Sequence, residues 1–260
     1  MDLSIVTTMY QSAAYLEEFH RRMSASAQKC MADYEIILVN DGSPDNSMQV
    51  ALSLYERDER VRVIELSRNF GHHKAMMTGL AHARGRLVFL IDCDLEEEPE
   101  LLQSFHYEMQ TTGADVVYGV QRKRKGGLFE RVTGELFYRL FNFLSSYQVP
   151  RNVVTARLMN QNYVTNLVKH RDREVFMLGL WTITGFRQKA VVVQKGSKEG
   201  STYNVGRKLS VFVNSVTSFS NRPLVLIFYL GWIISLIAGT TALYLVTRWL
   251  FLGDSVAGRS

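Results

Sequence analysis

The sequence predicts an α/β fold with a mostly parallel sheet, followed by one membrane-spanning helix. Short β-branched runs alternate with longer helical patterns over the first hundred residues, which is typical of parallel strands joined by crossover helices. A stretch of 23 residues near the end of the 260-residue chain carries no charge. The only two cysteines, Cys30 and Cys93, are too few for a disulfide framework and lack metal-site spacing.

The composition is globular, since 47% of the residues are hydrophobic and 21% are charged. The net charge of +5 conceals an uneven distribution. Residues 1–119 contain 10 Lys+Arg and 19 Asp+Glu, whereas residues 120–260 contain 20 and 6. A basic half of this size indicates an anionic partner. Nucleic acid, an acidic membrane surface and phosphorylated substrates all satisfy that requirement.

The first ninety residues predict three strand–helix units and a fourth strand. We expect strands at 3–8, 35–40, 61–66 and 87–91. The intervening helices are predicted at 14–31, from Asp45 or Ser47 to Arg57, and at 74–83. A helix at 99–112 and a short strand at 115–119 follow. Residues 149–186 give a mixed pattern with a helix at 160–170, and 190–193 form a β-branched run.

Two amphipathic segments have basic residues beside them. Residues 128–146 carry apolar side chains at helical spacing, directly after the basic run 122–125. Such a stripe is compatible with a core helix and equally with an interfacial helix on a membrane. Residues 206–222 predict a second amphipathic helix that leads into the uncharged stretch.

The uncharged stretch 224–246 predicts the membrane span, since 18 of its 23 residues are hydrophobic. Such a helix is about 35 Å long, enough to cross a hydrocarbon core of about 30 Å. Arg222 and Arg248 flank it, and Tyr244 and Trp249 lie where interfacial aromatic residues are expected. We assign residues 223–248 to the span and 249–260 to a tail. A buried core helix is the alternative.

The amino terminus shows no signal peptide, because residues 1–10 lack a basic region and have only a short apolar run. We therefore expect the domain before the span to stay on the side of synthesis. The Lys/Arg excess that precedes the span, which includes Arg207 and Lys208, agrees with a cytoplasmic position.

The sharpest local feature is an apolar strand that ends in two carboxylates. Residues 87–91 are followed by Asp92 and Asp94, one residue apart. Ligands of open α/β sheets bind beyond the carboxyl ends of the strands. Two carboxylates there suit Mg²⁺ or Mn²⁺ held partly by substrate phosphates. A solvated strand end that merely begins a turn is the alternative.

Polar residues also follow the other predicted strands. Thr8 and Tyr10 end the first strand and Asp41 ends the second, so we expect them to converge with the Asp pair at one sheet edge. Residues 68–71 open a helix whose first amides suit an anion, although an ordinary turn fits equally well. His72 and His73 are adjacent and should point in different directions, which predicts surface residues and not a metal pair.

Several common enzyme signatures are absent from the sequence. It contains no Gly-x-Gly-x-x-Gly and no Walker loop, which argues against a Rossmann dehydrogenase and a P-loop NTPase. It also lacks Gly-x-Ser-x-Gly, the usual sign of a serine hydrolase.

Taken together, the motifs resemble family 2 glycosyltransferases of the GT-A fold, specifically the membrane-anchored polyprenyl-phosphate glycosyltransferases. The resemblance runs from Leu3 through the span. It rests on Val-Asn-Asp-Gly-Ser at 39–43, Ser-Arg-Asn-Phe-Gly-His at 67–72, Asp-Cys-Asp at 92–94 with Pro99-Glu100, Gly-Phe-Arg-Gln at 185–188, and Ser-Phe-Ser at 218–220 before Pro223-Leu224. It implies a GT-A nucleotide-sugar-binding domain over residues 1–205.

The resemblance also implies roles for individual residues. Asp92 and Asp94 resemble the Asp-x-Asp pair that binds Mg²⁺ or Mn²⁺ on the diphosphate, and with Arg157 they are the candidate catalytic residues. The nucleotide would be held by Thr8, Tyr10, Asp41 and Arg68. The acceptor phosphate would be bound by Arg122, Arg124 and Arg131, for which a solvated or membrane-facing position is the alternative. Ser201 and Tyr203 resemble the end of a mobile loop that closes over the donor.

The sequence departs from the family pattern at three places. Related enzymes usually carry Gly-Asp-Phe-Arg-Leu where this chain has Val-Thr-Ala-Arg-Leu at 154–158, so the Asp proposed as a base is Thr155 here. An acidic residue often found after the first strand is missing at 11–13. The family usually has two spans, and this sequence stops where a second would begin, which indicates truncation or a single anchor.

The implied reaction is an inverting, metal-dependent transfer of a hexose from UDP- or GDP-hexose to a polyprenyl phosphate, undecaprenyl phosphate if the source is bacterial. It belongs to cell-envelope polysaccharide synthesis at the cytoplasmic membrane, with the catalytic domain facing the cytoplasm. A phosphate acceptor needs less help from a base than a hydroxyl, which fits Thr155. Transfer to a glycan or lipid hydroxyl, a catalytically silent scaffold and a homo-oligomer stay open, whereas nucleic acid is not expected as a partner.

Overall fold

The computed structural model describes residues 1–121, 150, 152–170, 175–194, 196 and 222–252. The amino-terminal part alternates strands and helices: β1 (Leu3–Met9), α1 (Ala13–Cys30), β2 (Tyr34–Asn40), α2 (Ser47–Arg57), β3 (Val61–Glu65), α3 (His72–His82), β4 (Leu87–Leu90) and α4 (Leu101–Thr112). The later described elements are β5 (Val116–Gln121), β6 (Val153–Asn160), α5 (Gln161–Leu167), α6 (Met177–Ile183), β7 (Gln188–Val193) and α7 (Arg222–Leu252).

The seven strands form one sheet in the order β3-β2-β1-β4-β6-β5-β7. Strands β1 to β4 run parallel, as the sequence predicts. Strand β6 is antiparallel to its neighbours β4 and β5, and β7 pairs parallel with β5. The strand order reverses between β1 and β4, which is the switch point where open α/β sheets form a ligand crevice.

Helices cover both faces of the sheet. Side chains of α1 and α4, including Phe19 and Phe105, pack with one face, and side chains of α3, α5 and α6, including Tyr163 and Trp181, pack with the other. Every residue of β1 and β2 is buried, polar residues such as Ser4 and Glu35 included, as expected for strands covered on both faces. The described core therefore holds the carboxyl ends of β1, β2 and β4 in fixed positions.

Helix α7 contains the predicted span. Its segment Leu224–Phe251 has a mean hydropathy of 2.0 and no part of its apolar window is buried against the domain. A helix of this length is about 42 Å long, so by length and composition it suffices to cross a membrane. The predicted amphipathic helices at 128–146 and 206–222 and the tail at 249–260 lie outside the described residues, apart from Arg222 and residues 249–252. The boundary at residue 205 stays a prediction.

Candidate active site

Four polar side chains meet beside the switch point between β1 and β4. Asp92 follows β4, Thr8 lies near the end of β1, His72 begins α3, and Thr155 lies on β6. The hydroxyl of Thr155 donates to Oδ2 of Asp92 at 2.8 Å, and Nε2 of His72 lies 3.3 Å from Oδ1 of the same carboxylate. Oγ1 of Thr8 lies 2.9 Å from Nδ1 of His72. The predicted convergence of strand ends therefore holds for Thr8 and Asp92.

Asp94 lies on the turn after Asp92 and belongs to the same acidic site. One oxygen of its carboxylate, Oδ1, accepts a hydrogen bond from the Glu96 amide at 3.1 Å. The residue between the two aspartates, Cys93, is buried and directs its thiol to the Thr8 carbonyl at 3.2 Å. Burial raises the pKa of Cys93 to about 11, so the thiol stays protonated and inert at neutral pH.

His72 is the site residue whose role the sequence did not reveal. Its side chain is 47% exposed, in agreement with the predicted surface position, yet it contacts the first carboxylate of the pair. Burial acts to lower the pKa of His72, but the neighbouring Asp92 carboxylate outweighs it and raises the pKa. The usable signal was the motif at 67–72, which ends on this histidine.

Asp41 organises the loop that leads into α3. It is buried, and its carboxylate accepts hydrogen bonds from the amides of Phe70 at 2.7 Å and Gly71 at 3.0 Å. Arg68 lies in the same loop, with its guanidinium carbon 4.5 Å from the centroid of the Phe70 ring. Asp41 therefore supports the loop that leads into α3. Its predicted nucleotide contact stays a prediction.

The loops after β1 and β2 are tied together by Asp45. Its carboxylate accepts hydrogen bonds from the hydroxyls of Ser43 and Ser47, both at 2.6 Å, and from the Ala13 amide at 3.2 Å. Burial acts to raise the pKa of Asp45, but these hydrogen bonds outweigh it and lower the pKa to about 2. Tyr10 stands on the first of these loops with an exposed side chain, where it can meet a ligand.

Glu97 is a fully buried carboxylate behind the acidic pair. Oε1 accepts from the Thr155 amide at 3.0 Å, and Oε2 accepts from the Ala156 amide at 2.6 Å. It therefore connects the turn after β4 to the same short piece of β6 that carries the Thr155 hydroxyl.

Arg157 lies in the interior of the domain. It is buried, its guanidinium stacks over the Trp181 ring, and it donates to the carbonyls of Thr155 at 3.3 Å and Val154 at 3.4 Å. Burial lowers the pKa of Arg157 to about 9, although Tyr163 and Glu97 counteract that effect. The predicted catalytic role is untested, but the described geometry gives the guanidinium no exposed face.

The chain after β7 returns to the acidic turn. The Gly196 amide donates to the Glu96 carbonyl at 2.8 Å, two residues beyond Asp94. The predicted donor-loop residues Ser201 and Tyr203 follow Gly196 in the sequence but lie outside the described residues. The predicted acceptor residues Arg122, Arg124 and Arg131 also lie outside them.

The donor set at the acidic pair fits the divalent cation that the resemblance implies. Asp92 and Asp94 offer carboxylate oxygens, and the Asp92 side chain is 19% exposed at the crevice. Within the described ranges no group of three or more His, Cys, Asp or Glu side chains is arranged to hold a metal. Mg²⁺ is commonly held by one or two carboxylates together with substrate phosphates, so two suffice when a diphosphate is bound.

Comparison with known proteins identifies a matching family and several relatives. The family model described as glycosyl transferase family 2 matches residues 4–168. A Mycobacterium tuberculosis relative named as a glycosyltransferase is 52% identical over 99% of this chain and 75% of its own. The bactoprenol glucosyl transferase of Shigella phage SfV is 28% identical over 99% of this chain and 85% of its own.

Solved structures share the fold at low sequence identity. Glucosyl-3-phosphoglycerate synthase from Mycobacterium tuberculosis, in complex with Mn²⁺, UDP and phosphoglyceric acid, superposes with a TM-score of 0.55 at 17% identity. The match covers 83% of this chain and 76% of that one. S. aureus TarS in complex with UDP-GlcNAc gives a TM-score of 0.53 at 16% identity, over 83% of this chain and 65% of that one.

Proposed function

Because the chain belongs to glycosyltransferase family 2, we propose that it transfers a hexose from a nucleotide sugar to a polyprenyl phosphate, with inversion at the anomeric carbon. If the source is bacterial, the acceptor is undecaprenyl phosphate. The observation that carries the acceptor class is the hydrogen bond from Thr155 to Asp92. Relatives named bactoprenol glucosyl transferases support the same acceptor.

The residue type at position 155 distinguishes between a phosphate acceptor and a hydroxyl acceptor. A sugar or lipid hydroxyl must lose a proton as it attacks, which requires a base near the sugar carbon. Position 155 is where related enzymes usually carry an Asp, and here the Thr155 hydroxyl donates a hydrogen bond to Asp92 at 2.8 Å. A phosphate monoester has a second pKa of about 6 and is largely ionised at neutral pH. It can attack without a base, so the threonine favours a phosphate acceptor.

The donor would lie in the crevice between β1 and β4. Its nucleotide would face Thr8, Tyr10 and the loop that contains Arg68, and its diphosphate would face Asp92 and Asp94. A bound Mg²⁺ or Mn²⁺ would supply charge neutralisation for the departing nucleoside diphosphate. Thr155 and His72 orient the Asp92 carboxylate from two sides.

The acceptor would reach the site from the membrane surface. Helix α7 would anchor the enzyme, which keeps the domain close to lipid headgroups. The basic residues Arg122, Arg124 and Arg131 would gather the acceptor phosphate, and the domain would face the cytoplasm. The basic second half of the sequence supports this placement.

A transfer assay tests the proposal. Membranes that contain the full chain are incubated with undecaprenyl phosphate and a panel of labelled UDP- and GDP-hexoses, with and without EDTA. We expect label in the lipid fraction as an acid-labile phosphodiester, with transfer lost in EDTA and in Asp94→Asn. Asp2→Asn, at an exposed carboxylate that pairs with Arg86, is the matched control. An acid-stable product would favour a hydroxyl acceptor, and no transfer with any donor would overturn the proposal.

A further inference from the structure

The β6 strand loses its β4 partner just where the acidic site begins. The β4–β6 ladder runs from Leu87 opposite Asn160 to Leu90 opposite Arg157. On the other side, the β5–β6 register shifts between Tyr118 and Val120. The backbone of β6 around residue 155 therefore lies beyond one ladder and beside an irregularity in the other. Buried amides in such a place need another acceptor.

Glu97 supplies that acceptor. Consecutive amides of a regular strand point to opposite sides, yet the amides of Thr155 and Ala156 both reach the one carboxylate of Glu97, at 3.0 Å and 2.6 Å. A buried carboxylate that accepts two backbone amides is fixed in one geometry. Electrostatic attraction between Glu97 and the buried Arg157 further compensates its charge. Residue 155 is thereby locked in position.

Thr155 in turn holds Asp92, the first residue of the acidic pair. With its amide bound to Glu97, Thr155 directs its hydroxyl to Oδ2 of Asp92 at 2.8 Å. Without this hydrogen bond, the Asp92 carboxylate would lose one of the groups that orient it toward a cation shared with Asp94. Groups that hold a metal-binding carboxylate typically change metal affinity about 10- to 100-fold when they are removed.

We propose that Glu97 and Thr155 are positioning residues of the metal site: Glu97 fixes the backbone of Thr155, and the Thr155 hydroxyl fixes the carboxylate of Asp92. This inference rests on the proposed metal-binding role of Asp92 and Asp94. It assigns Thr155 a function other than that of the base expected at this position. It also explains why an acidic residue in the turn after β4 is buried.

Mn²⁺ binding tests the inference independently of transfer. Free Mn²⁺ is measured by electron paramagnetic resonance during titration of the purified full chain, with UDP or GDP present. We expect Thr155→Val, which keeps the shape and removes the donor, to weaken Mn²⁺ binding about tenfold or more. Thr155→Ser, which keeps the donor, should recover most of the affinity. Thr111→Val is the matched control, because that hydroxyl bonds only carbonyls of its own helix in the described contacts.

A double variant tests whether Glu97 acts through Thr155. Glu97→Gln keeps the size but loses one acceptor, and we expect weaker Mn²⁺ binding. If the two residues act in series, Thr155→Val combined with Glu97→Gln binds Mn²⁺ no more weakly than the more affected single variant. Fully additive losses of Mn²⁺ affinity in the double variant would overturn the proposal that Glu97 acts through Thr155. If Glu97→Gln fails to fold in a thermal melt, Glu97→Asp replaces it in the double variant, and the comparison of Thr155→Val with Thr155→Ser decides the role of the Thr155 hydroxyl.

Asp94→Asn separates failure of this inference from failure of the proposed function. Loss of Mn²⁺ binding in Asp94→Asn together with unchanged binding in Thr155→Val would overturn the positioning role alone. Unchanged binding in Asp94→Asn would overturn the metal site itself, and the inference with it.

Discussion

The carboxylate of Asp41 holds the backbone of Gly71, whose amide donates to Oδ2 at 3.0 Å. Asp41 is the first residue after β2 and Gly71 is the last before α3, so one side chain ties the end of a strand to the start of a helix. The next residue, His72, contacts Thr8 and Asp92. Asp41 therefore influences the acidic site through the backbone, without touching it.

Replacing Asp41 by Asn should weaken both the fold and nucleotide binding. The amide group can accept with one oxygen only, so the amide of Phe70 or of Gly71 loses its partner. We expect the free energy of unfolding to fall by about 1–2 kcal/mol, measured by chemical denaturation. Nucleotide affinity, measured by calorimetry, should fall as well. Asp33→Asn, at an exposed carboxylate, is the control. Unchanged stability with lost affinity would instead mean that Asp41 contacts the nucleotide directly.

Gly42 should tolerate substitution less well than another glycine of the same conformation. Gly42 has φ +60°, and an added Cβ would lie 2.5 Å from backbone atoms of Arg68 and Asn69. Gly113 has φ +63°, but its nearest neighbour would be 3.8 Å away. Gly113→Ala should destabilise by roughly 1–2 kcal/mol from backbone conformation alone. Gly42→Ala must also displace the 68–71 loop, so we expect a clearly larger loss in thermal stability.

Nucleotide affinity distinguishes the two glycine variants further. Only Gly42→Ala should reduce the affinity for UDP or GDP, because only that change moves the loop that contains Arg68. Equal effects of both variants on affinity would show that the contact between Gly42 and the loop is unimportant for the site.

The amino-terminal half of the fold was predictable because its strands are buried on both faces. Such strands are dominated by apolar and β-branched residues, and β1, β2 and β4 are predicted within one or two residues of their observed ends. The meeting of Thr8 with Asp92 follows from parallel topology, which brings the carboxyl ends of strands to one edge. Local pattern and chain direction sufficed for both results.

Strand β6 and the buried Glu97 were not predictable from local patterns. Arg157 occupies an interior position in the middle of β6, and a charged residue there breaks the apolar run that marks a buried strand. Glu97 lies between two other glutamates and has the local pattern of a solvated acidic turn. Its burial depends on two backbone amides of β6, 58 and 59 residues away in sequence, that donate to its carboxylate. No local sequence pattern predicts a contact between a side chain and backbone amides so far away in the sequence.

The contact between His72 and the acidic site was not predicted, because two adjacent histidines were expected only to point in different directions as surface residues. The sequence predicts the helix at 74–83, whereas the structure begins it at His72. A helix that starts at residue 74 leaves His72 in a loop with no fixed direction. The observed start depends on the hydrogen bonds from Phe70 and Gly71 to Asp41, which join residues 29 and 30 positions apart.

Asp45 should make the stability of the domain dependent on acidic pH. Its pKa in the folded state is about 2, below the ordinary value of about 3.9. A carboxylate with a lowered pKa contributes stability that is present above its ordinary pKa and is lost as the pH falls through the folded pKa. The stability difference between the wild type and Asp45→Asn should therefore be constant above about pH 5 and should shrink between about pH 4 and pH 2.

Urea denaturation at a series of pH values measures this effect. Glu56→Gln, at an exposed position on α2, serves as the control and should show no such trend. A stability difference for Asp45→Asn that stays the same down to pH 2 would contradict the role assigned to the Asp45 hydrogen bonds.

Arg157 has two alternative roles, that of a buried counter-charge to Glu97 and that of a residue that contacts substrate. Its guanidinium carbon lies over the Trp181 ring, and it interacts electrostatically with Glu97 in the interior. Arg157→Lys keeps a cation but replaces the planar group by a compact, strongly hydrated ammonium. We expect the free energy of unfolding to fall by about 2–4 kcal/mol, because the ammonium can neither stack on the indole nor remain solvated. Arg187→Lys, at an exposed pair with Asp115, is the control and should change stability by less than about 1 kcal/mol.

The same variant decides the catalytic prediction for Arg157. If the guanidinium acts as a buried counter-charge to Glu97, transfer by Arg157→Lys should decline in parallel with the folded fraction, and Mn²⁺ affinity should weaken as it does in Glu97→Gln. Both follow because the guanidinium supports Glu97, which in turn fixes Thr155 and Asp92. A variant that is as stable as the wild type but has lost transfer would instead place Arg157 in contact with substrate, after a rearrangement that exposes it.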